Sequence, residues 1–459
     1  MTPDREKQVL ASLYDRLLDA VTYSPDGKSA TFRKDEICFQ MAKNLVLDPA
    51  DFANMASPSN PNGDLKSASA FSAMVDALPA AGVQWVDSGK KVSDVYKDIV
   101  GNANTDSTPS PEQKAIYDQA YGFLNTETET KDFRGNVKKK TEPSDVVIAY
   151  DDAQAAYITA VGGYRTSYNG YNLDDLKDQR AWNAVAPGLQ LTLDKAWNEW
   201  NRSGKAEVEE AQNALASTIN DAVRHVIAEV QRLVSAEHQL APLAPGGIPW
   251  LPSYALPTSW AQASSKASKL TFTSAYLNKT ESSSAHEYSA GASGSWGLWH
   301  ASGEVSGKHE EKNAHMDAQN LTLEAELIAV TIKRPWFNPL LLSMSSWWVK
   351  GVPKDGISNG NPGDLKGIMP LVPTGFIVAR NVKISADFSE EDKKFVSNSV
   401  ATKASGGWGP FSISGSYGYS SSKSDFQSKF DGGTLQLPGL QLIAWVSAIS
   451  PASPPLAPK

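Results

Sequence analysis

At 459 residues the chain is long enough for two or three cores, and 41% hydrophobic residues with 13 Trp exclude a mostly disordered protein. A formal charge of -8 argues against nucleic acid or another polyanion as partner. The single cysteine, Cys38, rules out an internal disulfide framework and any multi-cysteine metal site; in Glu36-Ile37-Cys38-Phe39 it is expected as a small buried apolar residue.

The first residues, MTPDREKQVL, lack the apolar core of a secretory signal, and no run of 18 apolar residues follows. Synthesis in the cytoplasm is therefore expected, with any outside role reached by release. Leu10, Leu13, Leu17, Leu18 and Val21 share one face at helical spacing. The signal weakens from about Ala50, and Pro58 to Gly63 and Ser107 to Pro111 mark loops. A helix then carries Ile116, Tyr117, Ala120, Tyr121 and Leu124. Another follows Pro143-Ser144-Asp145, with Tyr150, Tyr157, Tyr164 and Tyr171 every seven residues, the pattern of a core seam. Leu189, Leu193, Trp197 and Trp200 mark the next. The stripe Val208, Ala211, Leu215, Ile219, Val223, Ile227, Val230 and Val234 predicts a rod of roughly 50 Å. Residues 1–240 thus read as an elongated helical bundle.

Pro242, Pro245, Pro249, Pro252 and Pro257 exclude helix and predict a stiff linker over 241–262. From 263 to 450 the composition turns to Ser, Gly, Trp and β-branched residues, and 451–459 reads as an extended tail. The fold class expected is α+β, with a mainly antiparallel β domain in the second half.

That β domain carries an internal repeat. At an offset of 112, Ala292-Ser293-Gly294-Ser295-Trp296-Gly297 aligns with Ala404-Ser405-Gly406-Gly407-Trp408-Gly409, and seven of sixteen positions from Ala292 to Gly307 are identical. Ser268 to Phe272 parallels Arg380 to Ile384. After a slip of three, Glu326-Leu327-Ile328-Ala329 parallels Gln441-Leu442-Ile443-Ala444. The copies run over about 268–331 and 380–446, each a strand, a charged or Ser-rich stretch, a hairpin and an apolar strand.

The hairpin limbs alternate with period two. In the first copy Tyr288, Ala290, Ala292, Gly294 and Trp296 share a face, and Trp299, Ala301, Gly303 and Val305 return along it. In the second, Val400, Thr402, Ala404, Gly406 and Trp408 lead out, and Phe411, Ile413, Gly415, Tyr417 and Tyr419 come back. The other face is small and polar. About ten residues per limb suit a tilted membrane strand with one lipid-facing and one water-facing side. Half-buried hairpins of a soluble sandwich would alternate in the same way, but Ala, Gly and Ser stand where such a core would place Val, Ile or Leu.

This layout of two hairpin clusters on one sheet, over about 263–450, resembles that of the perforin and cholesterol-dependent cytolysin pore-forming proteins. The resemblance implies a bent sheet whose clusters refold into membrane hairpins. The Tyr-Gly-Thr-His signature of the perforins does not occur here, so no site residue is carried over.

Between the copies, Arg334 to Leu342 and Trp347-Trp348 leave two readings open: a docking loop led by Trp336, Phe337, Trp347 and Trp348, or a plug capping the sheet. No catalytic motif, phosphate loop or dinucleotide fingerprint occurs. His286, His300, His309 and His315 cluster without metal-ligand spacing, so no metal or cofactor is expected. The reading is a non-enzymatic, toxin-like protein that assembles with itself and inserts hairpins into a lipid membrane. A homo-oligomeric structural protein and a carbohydrate-binding module with Trp platforms are the alternatives.

Overall fold

The structure is a computed structural model. It describes residues 3–22, 36–43, 45–106, 111–131, 137–171, 175–218, 223–236, 238–243, 247–274, 298–302, 317–402, 405–417, 425–437 and 439–458. The chain opens with α1 (Pro3–Thr22), β1 (Ile37–Met41), β2 (Val46–Leu47), α2 (Leu65–Val75), β3 (Ala77–Pro79), β4 (Asp87–Lys91), α3 (Val92–Gly101) and β5 (Ala103–Asn104). Next come α4 (Pro111–Leu124), β6 (Asn125–Lys131), β7 (Val137–Pro143), α5 (Asp145–Asn169), α6 (Leu176–Arg202), α7 (Lys205–Thr218) and α8 (Val223–Leu233). After them run β8 (Tyr254–Leu256), β9 (Ser268–Thr273), β10 (Trp299–Ser302), β11 (Asp317–Lys333), α9 (Leu340–Ser343), β12 (Trp348–Val349) and β13 (Leu371–Asp387). The last elements are α10 (Glu390–Thr402), β14 (Ser405–Trp408), β15 (Phe411–Ser416), β16 (Asp425–Gln427), β17 (Lys429–Asp431), β18 (Thr434–Leu437) and β19 (Leu440–Ile449). The fold is α+β with antiparallel sheets.

The main sheet runs β1–β19–β13–β11–β8, with β9 on β11 and β18 on β13 towards their other ends. Thr273 pairs with Thr322 where β9 meets β11, and Ser385 pairs with Thr434 where β13 meets β18. Two long strands, β11 and β13, form its spine.

Bulges decide which residues of each half of the spine point into the core on the α1 side. Between Glu324 and Glu326 the partner residues on β13 step from Lys383 to Arg380, which leaves Asn381 and Val382 opposite Ala325 alone. Asn381 takes φ 53° there, a left-handed conformation that Asn tolerates better than most residues. The extra residue switches side-chain parity. Ile377 and Ala379 on one side of it, and Val382 and Ile384 on the other, therefore reach the same core as α1. A second shift, between Ile377 and Val378, does the same for β19. Towards the β8 end, the opposite face of the sheet packs Ile328, Val330, Ile332, Phe376, Val378 and Trp445 against α2 and Trp260.

The boundary expected near residue 240 does not separate two cores. β1 and β2, from the half expected to be helical, hydrogen-bond to β19. Phe52 and Phe71 share a core with Trp260 and Phe376. The segment expected as a linker contains β8, paired with β11, and the fully buried Trp260. In the tail, Ser453 is buried and its backbone pairs with Ser358. The stripe read as one rod is helical over α7 and α8, with residues 219–222 between them outside the described residues. The Tyr seam forms core in its first half: Tyr150 and Tyr157 are buried against Trp200, while half-buried Tyr164 and, past the end of α5, Tyr171 pack on Trp182.

Candidate functional site: a hairpin sheet beneath an amphipathic helix

Of the first hairpin, Tyr288, Ala290, Ala292, Trp296 and Val305 lie outside the described residues, as do Ala404 and Tyr419 of the second. What is described is a second, smaller sheet in the order β10–β14–β15–β16. Its strand β10, expected as the return limb of the first hairpin, pairs with β14, expected as part of the outgoing limb of the second, and Trp299 stands opposite Trp408. Ala301 faces Gly406 across the same ladder. Trp408-Gly409-Pro410-Phe411 turns β14 into β15, with Gly409 at φ 55°. A side chain is strained in that conformation, which suits glycine.

This sheet is stowed. Trp408, Phe411 and Ile413 are fully buried, and so are Ser412 and Ser414 on the other face of β15. Over the turn lies α1, whose leucines form the apolar face expected from their spacing. A Cβ built on Gly409 would sit 3.5 Å from the Leu10 side chain and 3.9 Å from that of Leu13. Leu298 N–H donates to the Glu6 carboxylate at 3.4 Å, and Gly409 N–H donates to the Leu298 carbonyl at 2.7 Å. From the main sheet, buried Gln441 grips the backbone of Ser412 at both ends. Its Oε1 accepts from Ser412 N–H at 2.8 Å, and its Nε2 donates to the Ser412 carbonyl at 3.0 Å.

The third cover is α10. The outgoing limb was expected to start as strand near Val400, but residues 390–402 are helix. Ser389 N–H and Oγ both donate to Asp392 Oδ2 at 2.8 Å, while Asp392 N–H donates to Ser389 Oγ at 3.1 Å. This reciprocal capping, with three acids in the first turn, starts the helix. Val396 joins the core shared with α1, with half-buried Val400 packed against it. Phe388 and Phe395 meet the Trp299 ring edge-on at 6.1 and 5.4 Å. Tyr417, half-buried, leans on Phe426.

His300 sits inside this assembly. Its Nε2 lies 2.8 Å from the Gly409 carbonyl, and a Cβ on Gly407 would come 2.2 Å from its ring. Burial presses its pKa down to about 4; the Gly409 carbonyl opposes that shift and the Lys43 charge adds to it. The imidazole is therefore neutral at pH 7, and Nε2 carries the proton it donates to Gly409.

The docking-loop residues are placed inward. Trp336 and Trp347 are buried, and Phe337 packs on Tyr96 at 4.6 Å. Trp348 is half-buried on β12, beside β5. Sequence reasoning missed Gln441, Glu6 and the packing of α1 on the hairpin, because none of these long-range contacts has a local signature. The Ser389–Asp392 capping box did have one. Comparison with family models, with curated proteins and with solved structures finds no match to this chain.

Proposed function

We propose that this chain is a non-enzymatic, toxin-like pore-forming protein that oligomerises and inserts its two hairpins into a target membrane. The observation that carries this reading is the stowed small sheet. Limbs from two separate insertions into one antiparallel sheet lie side by side, and the amphipathic helix α1 covers the apolar β14–β15 turn. Such hairpins need a cover in water and lose that need in lipid. Exposing Trp408, Phe411 and Ile413 to water would cost roughly 1.5–3 kcal/mol each, so opening without a lipid acceptor is unfavourable. No helix among the described residues is long and apolar enough to cross a membrane, which leaves strands as the inserting element in this reading.

We read the β domain as internally duplicated. The pairings Thr273–Thr322 and Ser385–Thr434 support this, because both partners shift by the same 112 residues that align the hairpins. The slip of three falls at Pro438-Gly439, between β18 and β19. The helices α4 to α7 are read as the bundle of the N-terminal half.

The test is dye release from liposomes, combined with negative-stain imaging with and without lipid. Release, with rings formed only on lipid, is the expected result. Ordered assemblies in buffer without release would replace the proposal with a structural-assembly role, and a lipid-indifferent monomer retained on a glycan column would replace it with carbohydrate binding.

A further inference from the structure

Apart from the main sheet and the stowed hairpins, β6 and β7 form a two-stranded ribbon of their own. Its register runs from Asn125 opposite Pro143 to Lys131 opposite Val137. Among the described residues, no backbone group of either strand bonds to a third strand, so the ribbon has two open edges. An open edge is a template for another strand. The base of the ribbon is anchored, because Arg232 of α8 meets both Glu127 and the buried Thr141. Further along, Thr128 and Glu129 on β6 and Lys139 on β7 are exposed.

The two strands carry opposite charge. In β6 the run is Thr126-Glu127-Thr128-Glu129-Thr130, and in β7 it is Lys138-Lys139-Lys140. Glu127 is cancelled within the chain by Arg232 at 2.6 Å, and Lys140 by Glu142. Glu129 and Lys139, both exposed, stand opposite each other in the ladder. Opposite charges on neighbouring strands stabilise a ladder, and like charges directly opposite destabilise it. A second β6 laid on β6 would set glutamate against glutamate, and β7 on β7 would set lysine against lysine. Only β7 of one copy on β6 of another repeats the pairing already made inside the chain, with Lys139 opposite Glu129 again.

We propose that β6 of one copy pairs antiparallel with β7 of the next, which makes this ribbon a head-to-tail interface between copies of the chain. Such an interface joins two different surfaces, and so builds a ring or an open filament rather than a two-fold dimer. The inference rests on the self-association in the proposed function and adds where it occurs, but it does not depend on membrane insertion.

The experiment is sedimentation of the full chain in buffer and with phosphatidylcholine liposomes, with dye release recorded on the same samples. Glu129→Lys and Lys139→Glu change exposed positions and should melt close to the parent. Each alone should weaken assembly roughly threefold to tenfold, since one attraction per contact becomes a repulsion. An equimolar mixture of the two variants should restore assembly. Each variant's own ribbon still holds two like charges, so that recovery comes from pairing between copies. The combined variant, Glu129→Lys with Lys139→Glu, should assemble with itself like the parent and fail to co-assemble with it. A parent that stays monomeric in both conditions, single variants that assemble like the parent, a mixture no better than either variant, or free co-assembly of parent and combined variant would each overturn the interface. Assembly that recovers on mixing but releases no dye would uphold the interface and remove the pore reading alone.

Discussion

His300 ties the stability of the stowed hairpins to pH. Its folded pKa of about 4 lies below the 6.5 of a free imidazole. Between those values the unfolded chain takes up a proton that the folded chain refuses. Stability is therefore complete above about pH 6.5 and declines as pH falls towards 4. The loss approaches roughly 3 kcal/mol, at about 1.4 kcal/mol per unit. Thermal melts of the parent and of His300→Gln between pH 7 and 4 should diverge, with the parent losing more. Parallel curves would mean that the imidazole titrates normally. Nothing in the sequence marks His300 for this part. Among its neighbours it looks like a solvated flank residue, and only the pairing of β10 with β14 brings it against Gly407 and Gly409.

Among the elements, α1 is both the most readable and the most consequential. Its leucine spacing predicts the helix without help from the rest of the chain. That the helix covers a hairpin some 400 residues later is a tertiary fact that periodicity does not carry. Leu13 is fully buried in the shared core, so Leu13→Ala should destabilise the protein by about 2–5 kcal/mol. If α1 is the cover that must leave, the same change should also speed dye release at equal protein dose. A lower denaturation midpoint with an unchanged release rate would make α1 a structural helix only. The α10 segment teaches the converse. Its period-two pattern around Val400 reads as strand, but the Ser389–Asp392 box and the acidic first turn favour helix more strongly.

At the scale of the whole molecule, the α+β class was readable because it rests on composition and short-range alternation. The join between the halves was not. β1 is five residues long and β8 three, and β8 sits among prolines. Each is strand only because β19 or β11 offers it a ladder. The parity switches at Asn381 and near Ile443 were likewise hidden, since a bulge is defined by its partner strand. Together these features give one sheet whose α1-side face is buried along the spine and whose opposite face is buried towards the β8 end, with the β10–β14–β15–β16 sheet packed on the α1 side. The central claim is that β14 must leave α10 and α1 before the protein can perforate a membrane.

A reversible staple tests that claim most directly. A Cβ on Gly406 would lie 3.1 Å from the Ser399 Cβ, a few tenths short of the roughly 3.5–4.5 Å that a disulfide spans. In a Cys38→Ser background, Ser399→Cys with Gly406→Cys should therefore cross-link α10 to β14 on oxidation. The account predicts that the oxidised protein stays folded and releases no dye, and that reduction restores release to the rate of the uncrosslinked protein. Equal release from the oxidised and reduced forms would contradict it.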